Sequence, residues 1–186
     1  MNSHYASWET RVADLWKTLD DQEPEAFIAR LEVLLTEMPS GRAIACFERA
    51  AAQDSTGRPD LAVPLYEAAL NAGLTGLRRR RAVIQMASSL RNLGNPTRAA
   101  ELLTVELTAA DDELDGAVRA FLALALVDLA REREAVAISP TALSRYLPRY
   151  NRSLARHAEQ LAGTARASPT TAPPSSASRP PPDSSR

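Results

Sequence analysis

Residues 80–103 read RRAVIQMASSLRNLGNPTRAAELL, and this stretch decides the fold. Val83, Met86, Ala87, Leu90 and Leu93 recur at steps of three and four, which draws one apolar stripe along a helix. Gly94 supplies the left-handed residue that ends it. Asn95 can cap the next helix, and Pro96 suits its first position, where no backbone N–H is needed. Ala99, Ala100, Leu102, Leu103 and Leu107 give that second helix an apolar face of its own. The stretch predicts a helical hairpin.

The hairpin recurs along the chain. Gly57 is followed five residues later by Ala62 and then by Tyr66 and Ala69; Gly94 is followed five later by Ala99, with Leu103 in the place of Tyr66. Ala130 is followed five later by Ala135, so the offsets between turns are 37 and then 36 residues. A small residue stands seven before each turn, at Ala50, Ala87 and Ala123, where two helix backbones must cross closely. Two helices repeating at this period mark a helical solenoid.

Gly57-x4-Ala62-x3-Tyr66-x2-Ala69 resembles the second-helix core of the tetratricopeptide repeat. Residues 43–130 also resemble a bacterial group of such proteins, through the run Arg-Arg-Ala-Val-Ile-Gln-x-Ala-Ser-Ser-Leu-Arg-Asn-Leu-Gly at 80–94. The departures are specific. Cys46 and Val83 stand where the family's first helix carries an aromatic, and unit three has Ala130 for glycine and Ser139 for the aromatic. The period exceeds the family's, which predicts lengthened turns around 72–78 and 109–115 and leaves the superhelical curvature open.

Composition agrees with an all-α chain: 45% hydrophobic, seven glycines and few β-branched runs. The net charge of −1 gives no global attraction to nucleic acid. A single cysteine, Cys46, excludes an internal disulfide framework. No apolar run is long enough for a membrane helix, and the N-terminus lacks a signal-peptide core, so the cytoplasm is the expected location.

In chain order, residues 1–40 form an N-terminal helical hairpin acting as a degenerate cap, with Tyr5, Trp8, Val12, Leu15, Trp16 and Leu19 on one helix. Phe27, Ile28, Leu31, Leu34, Leu35 and Met38 mark the other, stopped by Pro39-Ser40-Gly41. Three repeats follow over 41–147, with a distortion expected at Pro64 and a worse one at Pro140. A capping helix over 148–162 opens at Pro148, presents Tyr150, Leu154, His157, Ala158 and Leu161, and should cover the last repeat's apolar flank. Residues 163–186, rich in Pro and Ser, read as a disordered tail, with Pro180-Pro181-Pro182 a conceivable docking motif. The whole is an α-solenoid of tetratricopeptide-like hairpins with a C-terminal capping helix and a disordered tail.

No catalytic, cofactor or metal constellation is legible. His4 and His157 lie at opposite ends, neither in ligand spacing with Cys46, and no phosphate-binding glycine motif is present. Arg78-Arg79-Arg80-Arg81 with Arg91 and Arg98 forms the most basic stretch. Four consecutive residues point to every side of a helix, so they cannot make one phosphate-reading face. Glu101, Glu106 and the run Asp111-Asp112-Glu113-x-Asp115 offer internal partners instead.

The resemblance implies a concave groove lined by the first helix of each pair. That places Ile44, Glu48, Ala51 and Ser55 of unit one, Arg81, Gln85, Ser88 and Asn92 of unit two, and Ala117, Phe121, Leu124 and Asp128 of unit three in the groove. The family's two-carboxylate clamp needs Lys and Asn where this chain has Phe47, Ala51 and Gln85, which argues against a chaperone-tail receptor. Helix 117–129 is apolar nearly all round and must be covered on two faces, by the last helix or by a partner. The expectation is a non-enzymatic scaffold, without cofactor, binding a peptide or helical segment of an unidentified protein partner. The alternative is a nucleic-acid-associated or regulatory accessory domain using the arginine-rich edge. The oligomeric state is left open.

Overall fold

A computed structural model describes residues 3–37, 41–109 and 112–167. Among the described residues there are nine α-helices and no strand. They are α1 (Ser3–Trp16), α2 (Pro24–Thr36), α3 (Arg42–Ser55), α4 (Pro59–Asn71), α5 (Gly76–Asn92), α6 (Pro96–Ala109), α7 (Asp115–Asp128), α8 (Glu132–Ser144) and α9 (Asn151–Ala167). Met38, Pro39, Ser40, Asp111 and the segment 168–186, with its proposed proline motif, lie outside the described residues.

The three repeat turns are built alike. Gly57 and Gly94 both adopt φ +79, and each turn closes with the same two bonds: Gly94 N–H donates to Arg91 O and Asn95 N–H to Leu90 O, at 3.0 and 2.9 Å. Ala130 makes the equivalent pair to Val127 O and, through Arg131 N–H, to Leu126 O, at φ +55. Asn95 Oδ1 accepts from Arg98 N–H at 3.2 Å, the cap expected for α6. α3/α4, α5/α6 and α7/α8 are thus the three helix pairs.

One core runs through all three pairs, holding Phe47, Ala62, Tyr66, Met86, Leu90, Ala99, Leu103, Val118, Leu122 and Ala135. Ala50, Ala87 and Ala123 are buried within it, at the helix crossings. The N-terminal hairpin has a second core of Trp8, Val12, Leu15, Phe27, Leu31 and Leu35, which reaches Ala45 and Ala52 of α3. Trp8 is fully buried and its Nε1–H donates to Leu34 O at 2.7 Å, tying α1 to α2.

Pro64 and Pro140 lie inside α4 and α8, yet both helices run on through them. The distortion expected there does not end either helix. Around Pro140 the hydroxyls of Ser139 and Thr141 donate to Ala135 O and Ala137 O, supporting the ladder on both sides.

The last helix differs from expectation in three ways. It begins at Asn151 and not at Pro148, because Tyr150 turns the chain at φ +67. It continues to Ala167, into the stretch expected to be disordered from 163. It also packs on another surface: α9 lies against α8 with at most marginal contact to α7. The burial of Ala137 and Ser144 records that seat. Their counterparts in the earlier pairs, Pro64 and Glu101, Asn71 and Thr108, are all exposed. So α9 covers the outer face of α8 and leaves the apolar flank of α7 open.

Candidate functional site: the open face of α5 and α7

Each expected groove position recurs at the repeat offset, so the three first helices can be compared side chain by side chain. On α5, Arg81 and Asn92 are exposed and Gln85 and Ser88 half-buried, which sets one open stripe along the helix. On α7, Leu124 and Asp128 are exposed and Ala117 and Phe121 half-buried. These two helices pack side by side. Asp128 is tied back to Arg91 across them by a bond of 3.3 Å.

Unit one departs from this arrangement. Glu48 and Ala51 are buried, Ile44 packs between the two cores, and Ser55 alone is exposed at the end of α3. Glu48 is therefore no groove residue open to a ligand. The cause is α1: Trp16 Nε1–H donates to Glu48 Oε2 at 2.8 Å while the Trp16 ring packs at a tilt against Phe27. Arg78 Nε reaches the other carboxylate oxygen at 3.2 Å. The repeat frame alone carries no signal of this, because the covering helix lies outside the repeat.

The arginine run is consumed internally, with one exception. Arg78 holds Glu9 of α1 through two bonds of 2.8 and 2.5 Å, and that contact raises its already high pKa further. Arg79 Nη1 lies 2.8 Å from Glu106 Oε1. Arg80 is buried, with its guanidinium 3.6 Å from Glu106, 3.1 Å from Asp112 and 3.7 Å from Asp115. Its Nε and Nη2 make those last two contacts as charges without hydrogen-bond alignment. Arg98 pairs with Glu67. Arg81 is the exception: it is exposed, has no ion pair among the described residues, and its guanidinium sits 5.3 Å from the centre of the Phe47 ring.

Beside Arg81 on the same face, Gln85 Oε1 is shielded from solvent and accepts no hydrogen bond among the described residues. Deeper between α3 and α5, Asp54 accepts from Ser89 Oγ at 2.7 Å and from Tyr66 OH at 3.4 Å. Burial raises its carboxyl pKa, and those two hydrogen bonds only partly counter it. Cys46 is half-buried at the edge of the core, and His4 and His157 are exposed. Among the described residues no group of three or more His, Cys, Asp and Glu is placed to hold a metal, and no helix is long and apolar enough to cross a membrane.

Helix pairs joined by one recurring turn and packed over one continuous core define a helical repeat protein. Residues 43–161 match the model of the tetratrico peptide repeat family, well over half of the chain, and the chain belongs to that family. No curated protein and no solved structure matches it. A repeat of this kind serves as a scaffold for protein partners.

Proposed function

We propose that this chain is a non-enzymatic scaffold that binds an extended or helical acidic segment of a partner protein across the open face of α5 and α7. The observation carrying this is Arg81. In a stretch where Arg78, Arg79, Arg80, Arg91 and Arg98 each meet a carboxylate of the chain itself, Arg81 meets none among the described residues. The Phe47 ring beneath it restrains the guanidinium without neutralising it, so little ordering is left for a ligand carboxylate to impose. Gln85, half-buried one turn away on the same stripe, places a polar amide side chain next to Arg81. Phe121 continues the face as an apolar contact.

Against the nucleic-acid alternative stands the pairing of Arg78, Arg79 and Arg80 with carboxylates of the chain, which leaves fewer cations for phosphates on the arginine-rich edge. The test starts from peptides selected on the full chain out of a displayed library, followed by titration of the winners. Acidic sequences should dominate. Arg81→Glu with Gln85→Ala should weaken their binding by at least about tenfold with helicity unchanged. Selection of basic or wholly apolar peptides indifferent to that double change would refute the reading, as would salt-sensitive retention on DNA or RNA.

A further inference from the structure

At the C-terminal end of the stack, the repeat itself shows which surface has no cover among the described residues. In units one and two, α5 and α7 lie on the pair before them and bury a fixed set of positions. Val63 and Ala100 are there 8% and 5% exposed, whereas their counterpart Val136 is 54% exposed. Tyr66 and Leu103 are buried, and their counterpart Ser139 is exposed. Leu70 and Leu107 are half-buried, and Leu143 is 53% exposed. On the first helices the same holds: Phe47 and Ile84 are buried, while Ala120 is exposed beside Leu124 and Val127 at 46% and 48%. Every one of these positions is closed by a helix earlier in the stack, and α9 is seated elsewhere.

We infer that this flank pairs with the same flank of a second copy, making a two-fold dimer in which α7 packs antiparallel to α7 across an axis at Ala123–Leu124. Three observations favour a second copy as the occupant. The groove between α7 and α8, lined by Ala120, Leu124, Val127, Val136 and Pro140, carries no charged side chain, so identical surfaces can meet without opposing like charges. The α7 stripe is small at one end and large at the other, so an antiparallel partner sets Ala120 against Val127 and lets the two interdigitate. The charges just beyond the stripe, Arg119 and Asp128, are each paired within the chain and have opposite signs, so antiparallel pairing sets no like charges against each other. Leu124, Val127 and Val136, all exposed, line this one groove together, as apolar surface does at association sites.

The full chain should sediment as a concentration-dependent dimer, and Val127→Glu or Val136→Glu should raise the dimer Kd by at least about tenfold with helicity retained. Both residues are solvent-facing in the single chain, so these changes leave its folding intact. In a Cys46→Ala background, Leu124→Cys should oxidise to a disulfide-linked dimer, while Leu93→Cys, exposed at the end of α5, should not. A monomer at every concentration overturns the inference. So do dimers indifferent to both glutamates. A Leu124→Cys/Leu161→Cys pair that closes within one monomeric chain would overturn it too, by making α9 the occupant. Arg81→Glu should leave the dimer intact, so loss of peptide binding and loss of dimerisation are separable results.

Discussion

Ala130 closes the α7–α8 turn at φ +55, in the bonding pattern that Gly57 and Gly94 make at φ +79. A side chain in the left-handed region brings Cβ against the following carbonyl, at a cost of about 1–2 kcal/mol. Glycine removes that strain but returns about 0.5–1 kcal/mol through the greater freedom of the unfolded chain. Ala130 is exposed, so its methyl contributes almost no burial to offset the difference. Ala130→Gly should therefore stabilise by about 0.5–1 kcal/mol, equivalent to about 2–4 °C per kcal/mol in a chain of this size. Gly94→Ala is the mirror experiment. Nothing lies within 4 Å of a Cβ built there, so its whole effect is backbone strain and it should destabilise by a similar amount. Urea unfolding followed by circular dichroism reads both, with the slope compared to check that cooperativity is kept, since repeat arrays can lose it. If Ala130→Gly destabilises while Gly94→Ala does so too, the two turns are not equivalent and the repeat frame of the third unit is misplaced.

Ala87→Leu should destabilise by about 1–3 kcal/mol through overpacking at a buried crossing, while Thr97→Leu on the exposed side of α6 should be near neutral; equal effects in thermal melts would contradict the packing described. Glu106→Ala should be the costliest single change, at about 3–5 kcal/mol, because it leaves buried Arg80 and half-buried Arg79 without the carboxylate between them; a loss under 1 kcal/mol in urea titration would mean that Asp112 and Asp115 suffice. For Asp54 the folded pKa is raised, so the native state holds this proton more tightly than the unfolded chain, whose carboxyl titrates near 3.9. The native state's advantage is therefore full at low pH and fades as pH rises through the raised value. Asp54→Asn can keep the Ser89 bond, and its stability relative to wild type should improve from acidic to neutral pH; a difference that stays flat with pH would show that Asp54 titrates as an ordinary carboxyl.

Reading the fold from the chain worked where one physical rule dominated locally. The Gly94-Asn95-Pro96 junction specifies its turn, its cap and its first helical residue within three positions, and all three appear as expected. The small residues at Ala50, Ala87 and Ala123 likewise sit at crossings, because the repeat period brings them there in any solenoid of this kind. The misses share a different cause. Glu48 is closed off by Trp16 from a hairpin outside the repeat period, and periodicity has nothing to say about a helix it does not include. Helix α9 carries apolar residues at the spacing of a stacking helix, but it follows a connection, 145–150, whose course no periodicity describes. Tyr146 lies against Gly116, where a Cβ would meet the phenol oxygen at 2.8 Å, and Tyr150 adopts a left-handed turn. Neither contact is implied by any local pattern.

The arginine run shows how a local liability becomes a tertiary instruction. Cations in the first turns of α5 oppose the positive end of its helix dipole, so Arg78, Arg79 and Arg80 weaken that helix taken alone. Each is compensated from a different part of the chain: Arg78 by Glu9 of α1 and Glu48 of α3, Arg79 by Glu106 of α6, and Arg80 by Glu106, Asp112 and Asp115 at the start of α7. The start of α5 is thus favourable only when the cap, the first pair and the third pair are all in place, which couples the ends of the stack through its middle. Solenoids otherwise rely on nearest-neighbour contacts, and a point that senses four helices at once raises cooperativity across the array. Arg81, one residue further on, faces the other way and is left out of this network. That is why its free charge is available on the open face while its neighbours hold the scaffold together.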